Sequence, residues 1–183
     1  MWEGSSPKGM QSKKREGKRT MEFRYDTFCG LYCGACDVLQ ASKHGTVEAL
    51  AQAWGMEPAA LRCQGCKSPV NAVYCVDCDI KACAEERRVD FCFQCNEYPC
   101  DRLVDFRHDE HAHHSIVLQN LGQIRRLGLE RWLAEQRARW SCPHCGSEFT
   151  WYDEACSTCG GEVSNCEEEE GRIVDEFTPS RGS

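Results

Sequence analysis

Sixteen of the 183 residues are cysteine, and fifteen of them fall into tightly spaced groups. In chain order these are Cys29-x3-Cys33-x2-Cys36, Cys63-x2-Cys66, Cys75-x2-Cys78-x4-Cys83, Cys92-x2-Cys95-x4-Cys100, Cys142-x2-Cys145 and Cys156-x2-Cys159; Cys166 stands alone. Leu, Ile, Val and Phe together number only 31 residues. With a formal net charge of -7, so small an apolar share normally goes with disorder, because too little surface is buried to offset chain entropy. Cohesion must therefore come from sulfur, as disulfides or as metal ligands.

No run approaches the roughly 18 apolar residues of a membrane span, and the first residues lack the apolar stretch of a secretory signal. The expectation is a cytoplasmic chain without a membrane segment, and in a reducing compartment thiols bind metal rather than persist as disulfides. The sequence pI near 5.4 argues against a general nucleic-acid or anionic-membrane binder, which needs a basic face.

The pattern divides the chain into five parts. Residues 1–24 carry seven Lys and Arg among Gly and Ser and read as a disordered basic tail, with Met10 and Met21 each a plausible alternative start. Residues 25–107 form a Cys-rich metal-binding domain with short helices expected at 35–40, at 47–54 behind Thr46 as N-cap, at a first turn begun by Pro58, at 81–88 and at 101–106. Residues 108–140 lack cysteine, and Val117, Leu121 and Ile124, then Leu129, Trp132 and Leu133, recur at helical spacing around a break at Gly128. That predicts a helical pair packed on the Cys-rich part, its polar face bearing Arg125, Arg126, Arg131, Arg137 and Arg139. Residues 141–163 read as a zinc ribbon in which two knuckles flank a short β-hairpin over Phe149, Thr150, Trp151 and Tyr152. Residues 164–183, opening on Cys166 and four glutamates, read as a solvated acidic tail.

Cys142, Cys145, Cys156 and Cys159 make the strongest signal, because two CxxC turns relaxed by a following glycine complete a tetrahedral S4 site. Such a site is a fold-holding zinc or, with the same ligands, a single iron. The eleven cysteines Cys29, Cys33, Cys36, Cys63, Cys66, Cys75, Cys78, Cys83, Cys92, Cys95 and Cys100 do not divide by four. Two S4 sites with spare thiols, three sites with a shared or histidine ligand, and an iron–sulfur cluster all remain open. The expected load is two to four zinc ions, with iron–sulfur as the alternative. His108, His111, His113 and His114 offer pairs that would share a helix face and bind metal, although solvation or helix capping is their commoner use. His144, inside a knuckle, is expected to point outward.

Catalytic constellations are missing. The Cys29, Cys33, Cys36 spacing fits a radical-SAM loop, but no alternating strand–helix series follows it. No CxxC precedes a His as covalent haem requires, and the bacterial ferredoxin run is absent. Zinc-deaminase, phosphate-loop and HExxH signatures are lacking too.

The series Cys29-Gly-Leu-Tyr-Cys33-Gly-Ala-Cys36, Arg62-Cys-Gln-Gly-Cys66, Cys75-x2-Cys78-Asp-Ile-Lys-Ala-Cys83 and Cys92-x2-Cys95-Asn-Glu-Tyr-Pro-Cys100 resembles the cysteine-rich prokaryotic family known as domain of unknown function 3795. The helical segment from Asn120 to Leu133 and the stretch from Trp140 to Gly146 resemble its C-terminal half. The resemblance implies a bacterial or archaeal metal-binding protein with no assigned reaction. The fold class expected is small and metal-stabilised, mainly α with irregular loops. The function expected is a non-enzymatic zinc-binding interaction module that shows its helical face or Trp151 and Tyr152 to a protein partner. Iron–sulfur redox or sensing is the first alternative. The second is nucleic-acid binding, in which those aromatics stack on bases and the helical arginines neutralise phosphate.

Overall fold

The structure is a computed structural model that describes residues 22–173. Most of the basic tail, and residues 174–183 of the acidic one, lie outside the described residues. Among those described, the chain forms α1 (Asp37–His44), α2 (Val47–Trp54), α3 (Val73–Val76), α4 (Asp79–Arg87), α5 (Asp101–Arg107), α6 (Val117–Leu127), α7 (Leu129–Arg139) and α8 (Cys166–Glu170). Short 3-10 turns lie at Cys33–Ala35, Pro58–Leu61, Cys92–Gln94 and Ala112–His114. None of these helices is long and apolar enough to cross a membrane.

Helices α1 to α5 have at most nine residues each, too few to persist alone in water. Packing must hold them. A small cluster of Val38, Ala41, Val47, Ala51, Leu61 and Ala72 binds α1 to α2 and to the Pro58–Leu61 turn. Pro58 thus begins a 3-10 turn where a helical turn was expected, and Thr46 occupies the α2 N-cap without a side-chain cap bond.

The larger core draws on the segment before α1 and on the chain from α4 onward, from Cys29, Tyr32 and Ala35 through Leu103 to Val117, Leu121, Ile124, Trp132, Trp140, Phe149 and Cys166. Trp132 is fully buried and meets Tyr32 edge-on, with ring centroids 6.1 Å apart. The apolar stripe of α6 lies against the Cys-rich part, where Asn120 Nδ2 donates to the Gly30 carbonyl at 2.9 Å. Gly30 has φ +93°, and a Cβ there would sit 2.9 Å from both Leu121 and the Val117 carbonyl. Only glycine permits this approach. Gly128, at φ +83°, separates α6 from α7 as the break in periodicity predicts.

One buried ion pair ties the first described segment to the Cys63–Cys66 loop. Lys67 Nζ lies 2.8 Å from Asp26 Oδ2, both side chains less than one-tenth exposed, and sits 3.8 Å from the centroid of the Phe91 ring. Burial pushes the Asp26 carboxyl upward, but the Lys67 hydrogen bond and charge, with Arg24, outweigh it and hold it below its ordinary value.

Two expectations need correction. The hairpin over residues 149–152 does not form, and among the described residues there are two isolated antiparallel bridges, Ser141 with Glu148 and Ala155 with Glu162, and no strand. Each bridge closes one knuckle on itself. The run between them spends its backbone elsewhere: Trp151 N–H donates to the Ala35 carbonyl at 3.0 Å and its carbonyl accepts from Cys166 N–H at 2.8 Å. Second, the start of the acidic segment is helical. Asn165 Oδ1 accepts from the N–H groups of Glu167 and Glu168 at 3.1 and 3.2 Å, and acidic residues in a first turn complement the helix dipole. Cys166 is 1% exposed at the base of this helix.

Candidate metal centre

The C-terminal knuckles repeat each other at an offset of fourteen residues. Cys142 N–H donates to the Ser147 carbonyl and Gly146 N–H to the Cys142 carbonyl, both at 2.8 Å; Cys156 N–H to Gly161 and Gly160 N–H to Cys156 repeat the pattern at the same distances. Gly146 and Gly160 take φ of +77° and +72°, the left-handed turn after the second cysteine that a side chain would disfavour. Each turn therefore delivers two sulfurs to one side, and the two turns face each other.

Their sulfurs interleave. Cys142 Sγ lies 3.6 Å from Cys159 Sγ, and Cys145 Sγ lies 3.6 Å from Cys156 Sγ. All four ligand atoms fall within 4.8 Å of one another, and all four cysteines are free thiols. A tetrahedron of metal–sulfur bonds of about 2.3 Å has edges of about 3.8 Å, so the spacing fits one ion and is far too long for a disulfide. Cys142 and Cys156 are buried against the core, whereas Cys145 and Cys159 are exposed. Trp140 and Phe149, 5.4 Å apart, back the buried side.

Electrostatics point the same way. The Ser147 side chain and N–H hold Cys145 down to about 6, and the N–H groups of Cys159 and Thr158 lower Cys156. Cys159 ends up raised to about 12: the Gly161 N–H favours its thiolate, but the adjoining Cys145 and Cys142 sulfurs outweigh that help. Four thiolates at this spacing repel, and a central cation removes the conflict. The residues present fit a metal ion. His144 is not among the ligand atoms; its ring lies against Gly161 of the other knuckle.

The eleven earlier cysteines adopt a different arrangement, and no three of their sulfurs come within 4.8 Å of one another. Burial raises Cys33 well above its ordinary value, with Cys36, Cys66 and Cys63 adding to it. Cys36 rises to about 11, mainly by burial and with Cys63 contributing. Cys75 is pushed to about 12 by burial and by Cys63, Cys36, Cys66 and Cys78. Cys29 reaches about 12 through burial and then Cys66. Cys83, Cys92, Cys95 and Cys100 gather instead around one cleft beside α4. Local donors accompany several sulfurs: Thr27 Oγ1 is 3.4 Å from Cys29 Sγ, and Gly65 N–H donates to Cys63 Sγ at 3.3 Å.

The histidines expected to share a helix face lie instead on and beside the Ala112–His114 turn. A residue that sequence reasoning passed over joins them. Asp109 takes His114 Nδ1 at 2.8 Å and His111 Nδ1 at 3.4 Å, and these three side chains can converge on an ion. His108 Nδ1 instead pairs with the Val104 carbonyl of α5 at 2.8 Å. His113 stacks on Trp151 at 4.0 Å, and its Nδ1 is 2.7 Å from the Tyr152 hydroxyl. Burial, with His114 and His111, holds His113 down to about 3, so it is neutral near pH 7. Cys166, beside Tyr152, is raised to about 12 by burial and then Glu167 and belongs to no ligand group among the described residues.

Residues 25–105 match the family model described as "Protein of unknown function (DUF3795)". No curated protein and no solved structure matches the chain.

Proposed function

We propose, for a chain whose residues 25–105 match the model of the family DUF3795, a non-enzymatic interaction module whose fold is held by cysteine-ligated metal, with zinc in the C-terminal quartet. The observation that carries this reading is the closed set of Cys142, Cys145, Cys156 and Cys159, with opposed sulfurs 3.6 Å apart. A four-thiolate site leaves no open position for water or substrate, which is the arrangement of structural rather than catalytic zinc. Binding that accompanies folding contributes on the order of 10 kcal/mol, as much as the whole stability of a small domain. The earlier cysteines hold further metal.

A protein partner is the ligand proposed for the module, and the supporting feature is an apolar patch far in sequence from the expected one. Trp54, Val73, Tyr74 and Val76 are all exposed, and the Trp54 and Tyr74 rings meet at 6.5 Å. Aromatic patches of this kind mark contact sites. Trp151 is engaged by His113, and Arg131 and Arg139 pair with Glu135 and Glu169. Those pairings weigh against the nucleic-acid alternative, which needs free stacking faces and free cations.

The test is elemental analysis of the full chain, purified under reductant, beside its Cys142→Ser variant. The proposal expects the variant to lose one equivalent of zinc. Equal zinc in both proteins rejects it. Trp54→Glu with Tyr74→Glu should keep the metal and lose partner association; unaltered association rejects the patch.

A further inference from the structure

A second sulfur site has a different shape. Cys83 from α4, Cys92 and Cys95 from the turn that follows, and Cys100 at the N-terminus of α5 line one open cleft. Ile80, Leu103 and Tyr98 supply apolar wall between the sulfurs. All four cysteines are half-buried.

The spacing decides what such a cleft can take. In the C-terminal quartet four sulfurs close to within 4.8 Å of one another, whereas around this cleft no three do. A single tetrahedral ion needs every sulfur–sulfur edge near 3.8 Å. A polynuclear cluster places one thiolate on each iron and fills the middle with its own iron and sulfide, so its ligands stand farther apart around an enclosed volume. The four cysteines around this open cleft give the wider ring.

We propose that Cys83, Cys92, Cys95 and Cys100 hold an iron–sulfur cluster of the four-iron class, distinct from the zinc of the C-terminal quartet. The inference rests on the reading of the chain as metal-bearing and names the metal class of one of its sites. Two donors already aim at a ligand sulfur: Arg87 Nη1 lies 3.3 Å from Cys95 Sγ, and Glu97 N–H lies 3.4 Å from it. Glu97 also takes Arg87 Nη2 at 2.8 Å, which fixes the guanidinium over the cleft. Hydrogen bonds to ligand sulfur are a principal means of tuning a cluster's potential.

The experiment is anaerobic reconstitution of the full chain with ferrous iron and sulfide under reductant. It is followed by iron, sulfide and zinc analysis, visible spectra and redox titration. The expected product carries about four iron and four sulfide per chain and absorbs near 400 nm. Cys95→Ala loses that absorbance while keeping quartet zinc; Cys145→Ala loses the zinc and keeps the absorbance. Arg87→Gln changes a half-exposed side chain, leaves the fold intact and keeps the band, and its potential shifts to more negative values because a positive donor has gone. A colourless product, iron without sulfide, a band that survives Cys95→Ala, or an Arg87→Gln potential equal to that of the parent overturns the assignment. None of those outcomes alters the zinc count at the quartet, so failure of the cluster and failure of the zinc reading are separable.

Discussion

Replacing Lys67 with Met keeps the length and apolar stem of the side chain and removes only its charge. In the folded protein that charge sits 2.8 Å from the buried Asp26 carboxylate and over the face of Phe91. The loss leaves the interior carboxylate only the half-exposed Arg24 guanidinium at 3.3 Å, and deleting one member of a buried pair costs about 3–5 kcal/mol. For a domain of this size each kcal/mol lowers Tm by about 2–4 °C, so a fall of roughly 6–20 °C is expected at pH 7.

Asp26→Asn combined with Lys67→Met removes both charges and should recover much of the loss. The sign of the pH effect follows from the pair. In the parent, the Asp26 carboxyl is held below its ordinary value, so its contribution is present above the unfolded pKa of about 3.9 and fades as pH falls through the folded value. In Lys67→Met, burial dominates, the folded pKa lies above the unfolded one, and protonation relieves the strain. The gap between parent and variant therefore narrows as pH falls from 7 to 4. Circular-dichroism melts of the metal-loaded proteins measure it. A variant within 1 °C of the parent, or a double variant no better than the single, would refute the reasoning.

Gly65 has φ +111°, and a Cβ there would lie 1.9 Å from the Arg24 carbonyl oxygen; Gly65→Ala should cost more than about 2 kcal/mol, read by chemical denaturation. Trp132 is fully buried, so Trp132→Ala should lose about 3–5 kcal/mol in the same assay. Lowering pH below the unfolded histidine value of about 6.5 progressively charges unfolded chains while His113 stays neutral down to about 3, which subtracts up to about 1.4 kcal/mol per pH unit. His113→Phe should flatten that part of the stability profile, and identical profiles would count against a buried neutral imidazole. Cys166→Ser buries a hydroxyl in a nearly inaccessible place and should cost about 1–3 kcal/mol, with metal content unchanged by elemental analysis.

The C-terminal quartet was legible because all its determinants are local: two CxxC turns, each followed by a glycine that takes positive φ. The amphipathic pair around Gly128 was legible for the same reason, its stripe at Val117, Leu121 and Ile124 being the face that is buried. What escaped depends on partners distant in sequence. The run at 149–152 has strand-forming residues, yet Trp151 bonds to Ala35 and Cys166, which no local pattern encodes. The helix at Cys166–Glu170 hid behind its charge, although Asn165 before four glutamates is a capping signal. Asp109 joined His111 and His114 through a 3-10 turn rather than the expected helix face. Lys67 gave no hint of burial, since its carboxylate lies 41 residues earlier at Asp26.

Thermal unfolding of the full chain before and after removal of metal by strong chelators under reductant tests the central claim most directly. The account predicts that the stripped protein loses its cooperative transition and near-ultraviolet circular dichroism, and regains both when metal is returned. A stripped protein that still melts cooperatively at its original temperature would contradict it.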